Sequence, residues 1–234
     1  MERKYKFTDE TRERLGRTLH RITAVQDFGN VKAGDKGGWI EKESNLSHEG
    51  YCWIYGAAEV FDDAKVYGNA KVCDFSSVYS MAQVYGKSQV SGMAQVYGNA
   101  IVHGMAQIYG NARVYGNVRV YDNASVYDNA SVYGNASVYG FSRVFDDVDL
   151  YGNAGLDGTA SVSSNGDYIV FKNWWSSGRY FTWTRSNNMW RVGCFYGTGE
   201  ELIRKAYCDS EESGREYERI VQYVEGILKA EASK

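Results

Sequence analysis

An aliphatic residue recurs at every sixth position from Ile54 to Val162, nineteen times without a miss, running Ile54, Val60, Val66 and onward through Leu150 and Leu156. Four residues after each comes a small or branched residue, as at Ala58, Ala64, Ala70 and Ser76. Written out, the unit is V-Y-G-N-A-x. A helix needs recurrence at 3.6 residues and tolerates neither this density of glycine nor of β-branched residues, so period and propensity together exclude it. Alternation within each unit gives an extended piece. Ala64 and Val66 then point inward, and Lys65 and Tyr67 point outward. Gly or Asp followed by Asn makes a corner, because Gly and Asn tolerate positive φ. Three units close a triangle of eighteen residues, and the next turn stacks on it. About six turns at roughly 4.8 Å each make a prism ~30 Å long.

This pattern of aliphatic, small or acidic, two variable, small and variable resembles the hexapeptide-repeat proteins. The resemblance implies a left-handed parallel β-helix over residues 54–165 and a mainly β chain. One departure stands out. In fourteen of the nineteen units the residue after the aliphatic is Tyr or Phe. Sorted by the eighteen-residue turn, these rings fall in columns, of which Phe61, Tyr79, Tyr97, Tyr115, Tyr133 and Tyr151 is continuous and Tyr67, Tyr85, His103, Tyr121, Tyr139, Asp157 contains a histidine. Stacked rings stabilise a sheet by about 0.5–1.5 kcal/mol per pair beyond burial. A stripe of six also exceeds the apolar surface that monomers usually leave bare. The resemblance implies a homotrimer, so Tyr79, Tyr97, Tyr115, Tyr133 and Tyr151 are oligomer-interface candidates.

The repeat divides the chain into residues 1–53, 54–165 and 166–234. The first segment reads as an N-terminal β cap over the open sheet edge, with strand-like runs at Tyr5 to Thr8 and Thr18 to Phe28. Ile40 and Leu46 already sit six apart, so the frame begins there and slips by two near Ser47 to Tyr51. Arg12, Arg14, Arg17 and Arg21, interleaved with Glu10 and Glu13, read as a solvated face. The last segment reads as a small α+β domain, with strands at Asp167 to Asn173, Arg179 to Arg185 and Met189 to Phe195 forming an antiparallel meander. Capping boxes at Thr198/Glu201 and Ser213/Glu216 open two helices, the second carrying Tyr217, Ile220, Val221, Val224, Ile227 and Leu228 on one face.

Composition narrows the function classes. The net charge of −3 argues against bulk electrostatic binding of nucleic acid. No stretch reaches 18 uninterrupted apolar residues, and the charged N-terminus lacks the apolar run of a signal peptide, which points to an intracellular, cytoplasmic protein and away from a membrane. Cys52, Cys73, Cys194 and Cys208 show neither CxxC spacing nor His neighbours, so no metal site, disulfide framework or cofactor is implied. Charge is nonetheless uneven. Tyr168 to Tyr196 holds ten aromatics and Lys172, Arg179, Arg185 and Arg191 without one acid. Aromatic faces beside arginine can stack a base and neutralise a phosphate, making Trp174, Trp175, Arg179, Tyr180, Trp183, Arg185, Trp190 and Arg191 ligand-binding candidates.

Asp27 to Asp35, Gly37 to Glu41, Asn45 to Ser47, the VYGNA repeats and Gly193 to Thr198 together resemble uncharacterised hexapeptide-repeat proteins of bacteriophages and prophages. That resemblance implies a phage accessory or host-interaction role. Three functions are therefore weighed. The favoured one is a non-catalytic phage-type protein, homotrimeric, holding a host protein or a nucleotide-like phosphate-bearing ligand. The first alternative is a structural spacer or assembly scaffold. The second is an acyl-CoA-dependent acyltransferase of the hexapeptide-repeat type, with His103 as its base. It stands last because such enzymes interrupt the coil with loops, and this repeat has no insertion.

Overall fold

Each repeat yields a two-residue strand whose second member is the aliphatic, as in Lys65–Val66, Gln83–Val84 and Ile101–Val102. Strands one turn apart pair in parallel with an eighteen-residue offset, Lys65 with Gln83 and Val66 with Val84. The result is a mainly β chain built on a three-faced parallel solenoid, seen here in a computed structural model that describes residues 3–233. Met1, Glu2 and Lys234, at the ends of the outer two segments, lie outside the described residues. The faces are a nine-stranded, a seven-stranded and a six-stranded sheet. The solenoid has about seven turns, one more than the repeat count implies, because Lys36–Ile40 joins the nine-stranded face ahead of the regular frame. The two-residue slip is real. Ile40 pairs with Val60 and Leu46 bridges to Val66, each twenty apart, whereas Ile54 pairs with Val72, eighteen apart.

The nineteen repeat aliphatics are all 0–1% exposed and form one continuous axial core with the alanines. Each contributes about 1.5–3 kcal/mol on burial, which opposes the ordering entropy of the coil. At the corners, positive φ falls on Gly or Asp, for example Gly116 at +79° and Asp122 at +58°, and on Ser80 at +59°. The following Asn has a different task from the one its αL tolerance implies. Its side chain hydrogen-bonds the Asn one turn on, as Asn99 Nδ2 to Asn117 Oδ1 at 2.9 Å and Asn117 Nδ2 to Asn135 Oδ1 at 3.0 Å.

Every ladder N–H donates toward the C-terminal end of the stack, as Tyr97 N does to Val114 O at 3.0 Å. The first turn therefore leaves carbonyls without partners and the last turn leaves N–H groups, which must be satisfied if buried. The two ends meet this demand with opposite chemistry. At the carbonyl end, Lys4 Nζ donates to Cys52 O at 2.9 Å and Gly50 O at 3.4 Å, and Arg12 Nη2 donates to Ala57 O at 2.8 Å. At the N–H end, oxygen acceptors take over: Asn165 Oδ1 for Asp149 N, Thr182 Oγ1 for Gly155 N, Ser186 Oγ for Ser161 N and Asp167 Oδ2 for Ser163 N, all within 3.0 Å.

The N-terminal residues form a hairpin, Tyr5–Arg14 with Arg17–Ala24, whose second strand pairs with Lys36–Ile40. Its first strand is six residues longer than expected, and the second stops four residues short of Phe28. The arginines here are more than a solvated face. Arg12 pairs with Glu59 at 2.7 Å and covers the Trp39 ring, and Arg17 pairs with Asp62 at 2.6 Å, so they pin the hairpin to the first turns.

The C-terminal residues form a four-stranded antiparallel sheet, Tyr168–Lys172, Tyr180–Thr184, Met189–Val192 and Phe195–Gly197. Two helices, α1 (Gly199–Asp209) and α2 (Glu211–Ala232), follow, with the Thr198/Glu201 box present. The cap of α2 is Ser210, not Ser213. Ser210 is extended, with φ −168°, and its Oγ accepts from Ser213 N at 3.0 Å, which places Ser213 inside the first turn. Phe181, Trp183, Trp190 and Val192 pack with Leu202, Val221 and Val224 in a second core, separate from the axial one. Among the described residues no helix is long and apolar enough to cross a membrane.

Candidate functional site

Because the outward residue after each aliphatic keeps its direction, the columns become stacks. On the nine-stranded face, rings from Phe61 to Tyr151 follow at 4.8–5.5 Å between centroids and within 14° of parallel. Phe61 is buried, Tyr79, Tyr97, Tyr115 and Tyr133 are half-buried, and Tyr151 is 53% exposed. The oligomer-interface candidates thus share one stripe.

The six-stranded face carries the second stack: Tyr67, Tyr85, His103, Tyr121 and Tyr139, spaced at 4.7–5.1 Å. His103 lies between Tyr85 at 4.9 Å and Tyr121 at 5.1 Å, both within 5° of parallel. It is half-buried, and burial between the two rings holds its pKa below the usual imidazole value, with Asp122 pulling it up and Arg119 pushing it down. The imidazole is therefore neutral at pH 7, which is the form that accepts a proton. Arg119 stands in register beside Ile101, exposed on this same face. The sequence signal that places it there is the eighteen-residue spacing of the variable position, Ile101 to Arg119.

Farther along this face the C-terminal sheet closes over the stack. The Arg191 guanidinium lies over the Tyr139 ring at 4.8 Å, and its Nε is 3.7 Å from Asp157 Oδ2. Around them is a crevice of about 130 Å³ lined by Asn135, Ser137, Tyr139, Asn153, Tyr180, Thr182 and Arg191.

The eight ligand-binding candidates do not converge on one place. Trp183 and Trp190, 1% and 2% exposed, are core, and Trp175 packs against that core. Trp174 is 77% exposed at a loop. Arg185 pairs with Glu231 at 2.7 Å, and Arg179 lies against the Gly193 backbone. Tyr180 and Arg191 both line the crevice, whereas Trp174 meets Trp175 at 5.8 Å and Arg185 lies over the Trp183 ring at 5.8 Å, outside its lining. The cause is the two-residue alternation of the strands, which turns Phe181 and Trp183 toward α2 and leaves Tyr180 on the opposite side. Among the described residues no cluster of three His, Cys, Asp or Glu side chains could hold a metal ion.

Comparison with known proteins bears on these stacks. A family model described as YdcK Beta solenoid repeat matches residues 106–122 and 112–128, the turns next to His103. An Escherichia coli (strain K12) protein named "Uncharacterized acetyltransferase YdcK" is 41% identical over 61 residues, 23% of this chain and 19% of that protein. The chain thus spans about a fifth of that relative's length. A relative named as an acetyltransferase overturns the expectation of a non-catalytic, phage-type binding protein and favours its second alternative. Repeat model and relative together support a hexapeptide-repeat β-helix family for this chain's repeat.

Proposed function

We propose that the protein is an acyltransferase that moves an acyl group from an acyl-CoA thioester to a hydroxyl or amine, with His103 as general base. The observation that carries the reading is the position of His103. It is the one histidine within the repeat, half-exposed on a flat face, and its lowered pKa keeps it unprotonated at neutral pH. The name of the E. coli relative supports the reaction class.

The chemistry follows from that position. An acceptor O–H or N–H placed within about 2.6–3.2 Å of the imidazole loses its proton to the ring as the oxygen or nitrogen attacks the thioester carbonyl. The C–S bond breaks, and the imidazolium returns the proton to the leaving thiolate. Arg119 on the same face supplies positive charge for phosphates of the donor. Around His103 the face is open within one chain, because the repeat carries no insertion that could wall it there. Copies of the chain associate through the aromatic stripe of the nine-stranded face, in this reading as a homotrimer, and a neighbour's flank provides the missing wall.

Incubation of the purified protein with acetyl-CoA and a panel of amine and hydroxyl acceptors, followed by chromatographic loss of acetyl-CoA, tests the reading. Turnover that disappears in His103→Ala with an unchanged circular dichroism spectrum supports it. Equal turnover in wild type and variant removes His103 from the mechanism.

A further inference from the structure

We propose that the crevice between Tyr139 and Arg191 is a binding site for a small carboxylate group. The proposal stands apart from acyl transfer, and either can fail alone. It begins from two polar groups that the fold buries without satisfying. Tyr139 is 7% exposed, and its hydroxyl has no hydrogen-bond partner. Arg191 Nε is likewise buried with no hydrogen bond, because Asp157 Oδ2 at 3.7 Å is too far to accept one. Orphans of this kind are rare in a native interior and call for an explanation such as a ligand or water.

The surroundings define the ligand. Asn153 ends the asparagine ladder. Its Oδ1 accepts from Asn135 Nδ2 at 3.4 Å, and there is no further Asn to receive its own amide N–H. Its backbone N–H belongs to the edge where ladder donors run out, and no acceptor for it is present among the described residues. The crevice thus gathers a phenol, a guanidinium N–H and amide donors, all of which suit an oxyanion.

Charge and size select the carboxylate. Among the lining residues Arg191 is the one cation, and Asp157 beside it already offsets part of that charge, so a monoanion fits and a dianion meets repulsion. A volume of about 130 Å³ accommodates a few heavy atoms. A planar carboxylate can accept from the Arg191 Nε–H and the Tyr139 O–H together, the first a charge-assisted hydrogen bond. Along the stack, Tyr139 is two turns from His103, about 10 Å at the strand spacing. The crevice therefore opens on the same face as the proposed base.

The test is acetate binding to the full chain, followed by calorimetric titration and by melting temperature at ionic strength matched with sodium chloride, with inorganic phosphate as a second arm. The wild type should show saturable acetate binding and a rise in Tm beyond the chloride control, with phosphate weaker. Tyr139→Phe keeps the ring stack and should bind acetate about tenfold less well, the worth of one such hydrogen bond. Arg191→Gln should abolish binding. A crevice filled only by water predicts no difference between acetate and chloride, and that result overturns the proposal. So does acetate binding that is unchanged in Tyr139→Phe, or phosphate binding tighter than acetate.

Discussion

Val114→Asp separates inward from outward positions in one strand. Val114 is fully buried in the middle of the axial core, in register with Val96 and Val132, and its strand partner Arg113 is exposed. Removing the valine forfeits about 1.5–3 kcal/mol of burial. Leaving a carboxyl in the axis with nothing to bond costs roughly a further 2–7 kcal/mol. The sum is comparable with the whole stability of an ordinary domain, about 5–15 kcal/mol, so the variant should unfold or aggregate at room temperature. Arg113→Asp should shift stability by less than about 0.5 kcal/mol. A pH series adds an internal check. Burial raises the folded-state pKa of the new carboxyl above its unfolded value near 3.9, so the folded form binds the extra proton and stability falls as pH rises from about 4. Urea melts followed by circular dichroism at pH 4 and pH 7 read both effects. Wild-type melting of Val114→Asp, or equal damage from Arg113→Asp, would refute the inward assignment.

Three further outcomes follow from the same geometry. Tyr97→Leu removes stacks at 4.8 Å with both Tyr79 and Tyr115, and should lower stability by about 1–3 kcal/mol in thermal melts; no change would reduce the column to decoration. Lys4→Met strips the donor from Cys52 O and Gly50 O at the carbonyl end and should cost about 1–3 kcal/mol, with faster amide exchange confined to the first turns. The pH dependence of kcat/KM should place its acid limb below about 6.5, because burial depresses the His103 pKa and the base stays unprotonated to lower pH. The same depression makes stability rise with pH through that window, since the unfolded chain binds the proton first.

The axial core was legible because period six repeats without interruption, so register, inward residues and ring columns could all be counted from the sequence. The caps were not. Lys4 to Cys52 and Arg12 to Ala57 join residues more than forty apart, and nothing in a run of charges shows that a carbonyl edge awaits them. The direction of the parallel ladder is the physical fact that predicts cations at one end and oxygen acceptors at the other. Near the C-terminus the Trp and Arg window stands out by composition, yet strand alternation sends Trp183 and Trp190 into the core, and Trp174 lies exposed on a loop. Ser213/Glu216 has the spacing of a capping box, but Ser210 terminates α1 and thereby becomes the cap of α2. In the sequence His103 is one imidazole within a column of tyrosines. Its stacked, depressed-pKa environment and the acetyltransferase name of the E. coli relative change its weight.

The central claim is that the imidazole on the six-stranded face is a catalytic base. Its most direct test compares acetyl-CoA consumption by wild type and His103→Gln under saturating acceptor, with both proteins shown to melt alike. The account predicts a fall of about 10²–10⁴ in rate for His103→Gln. Equal rates in the two proteins would contradict it.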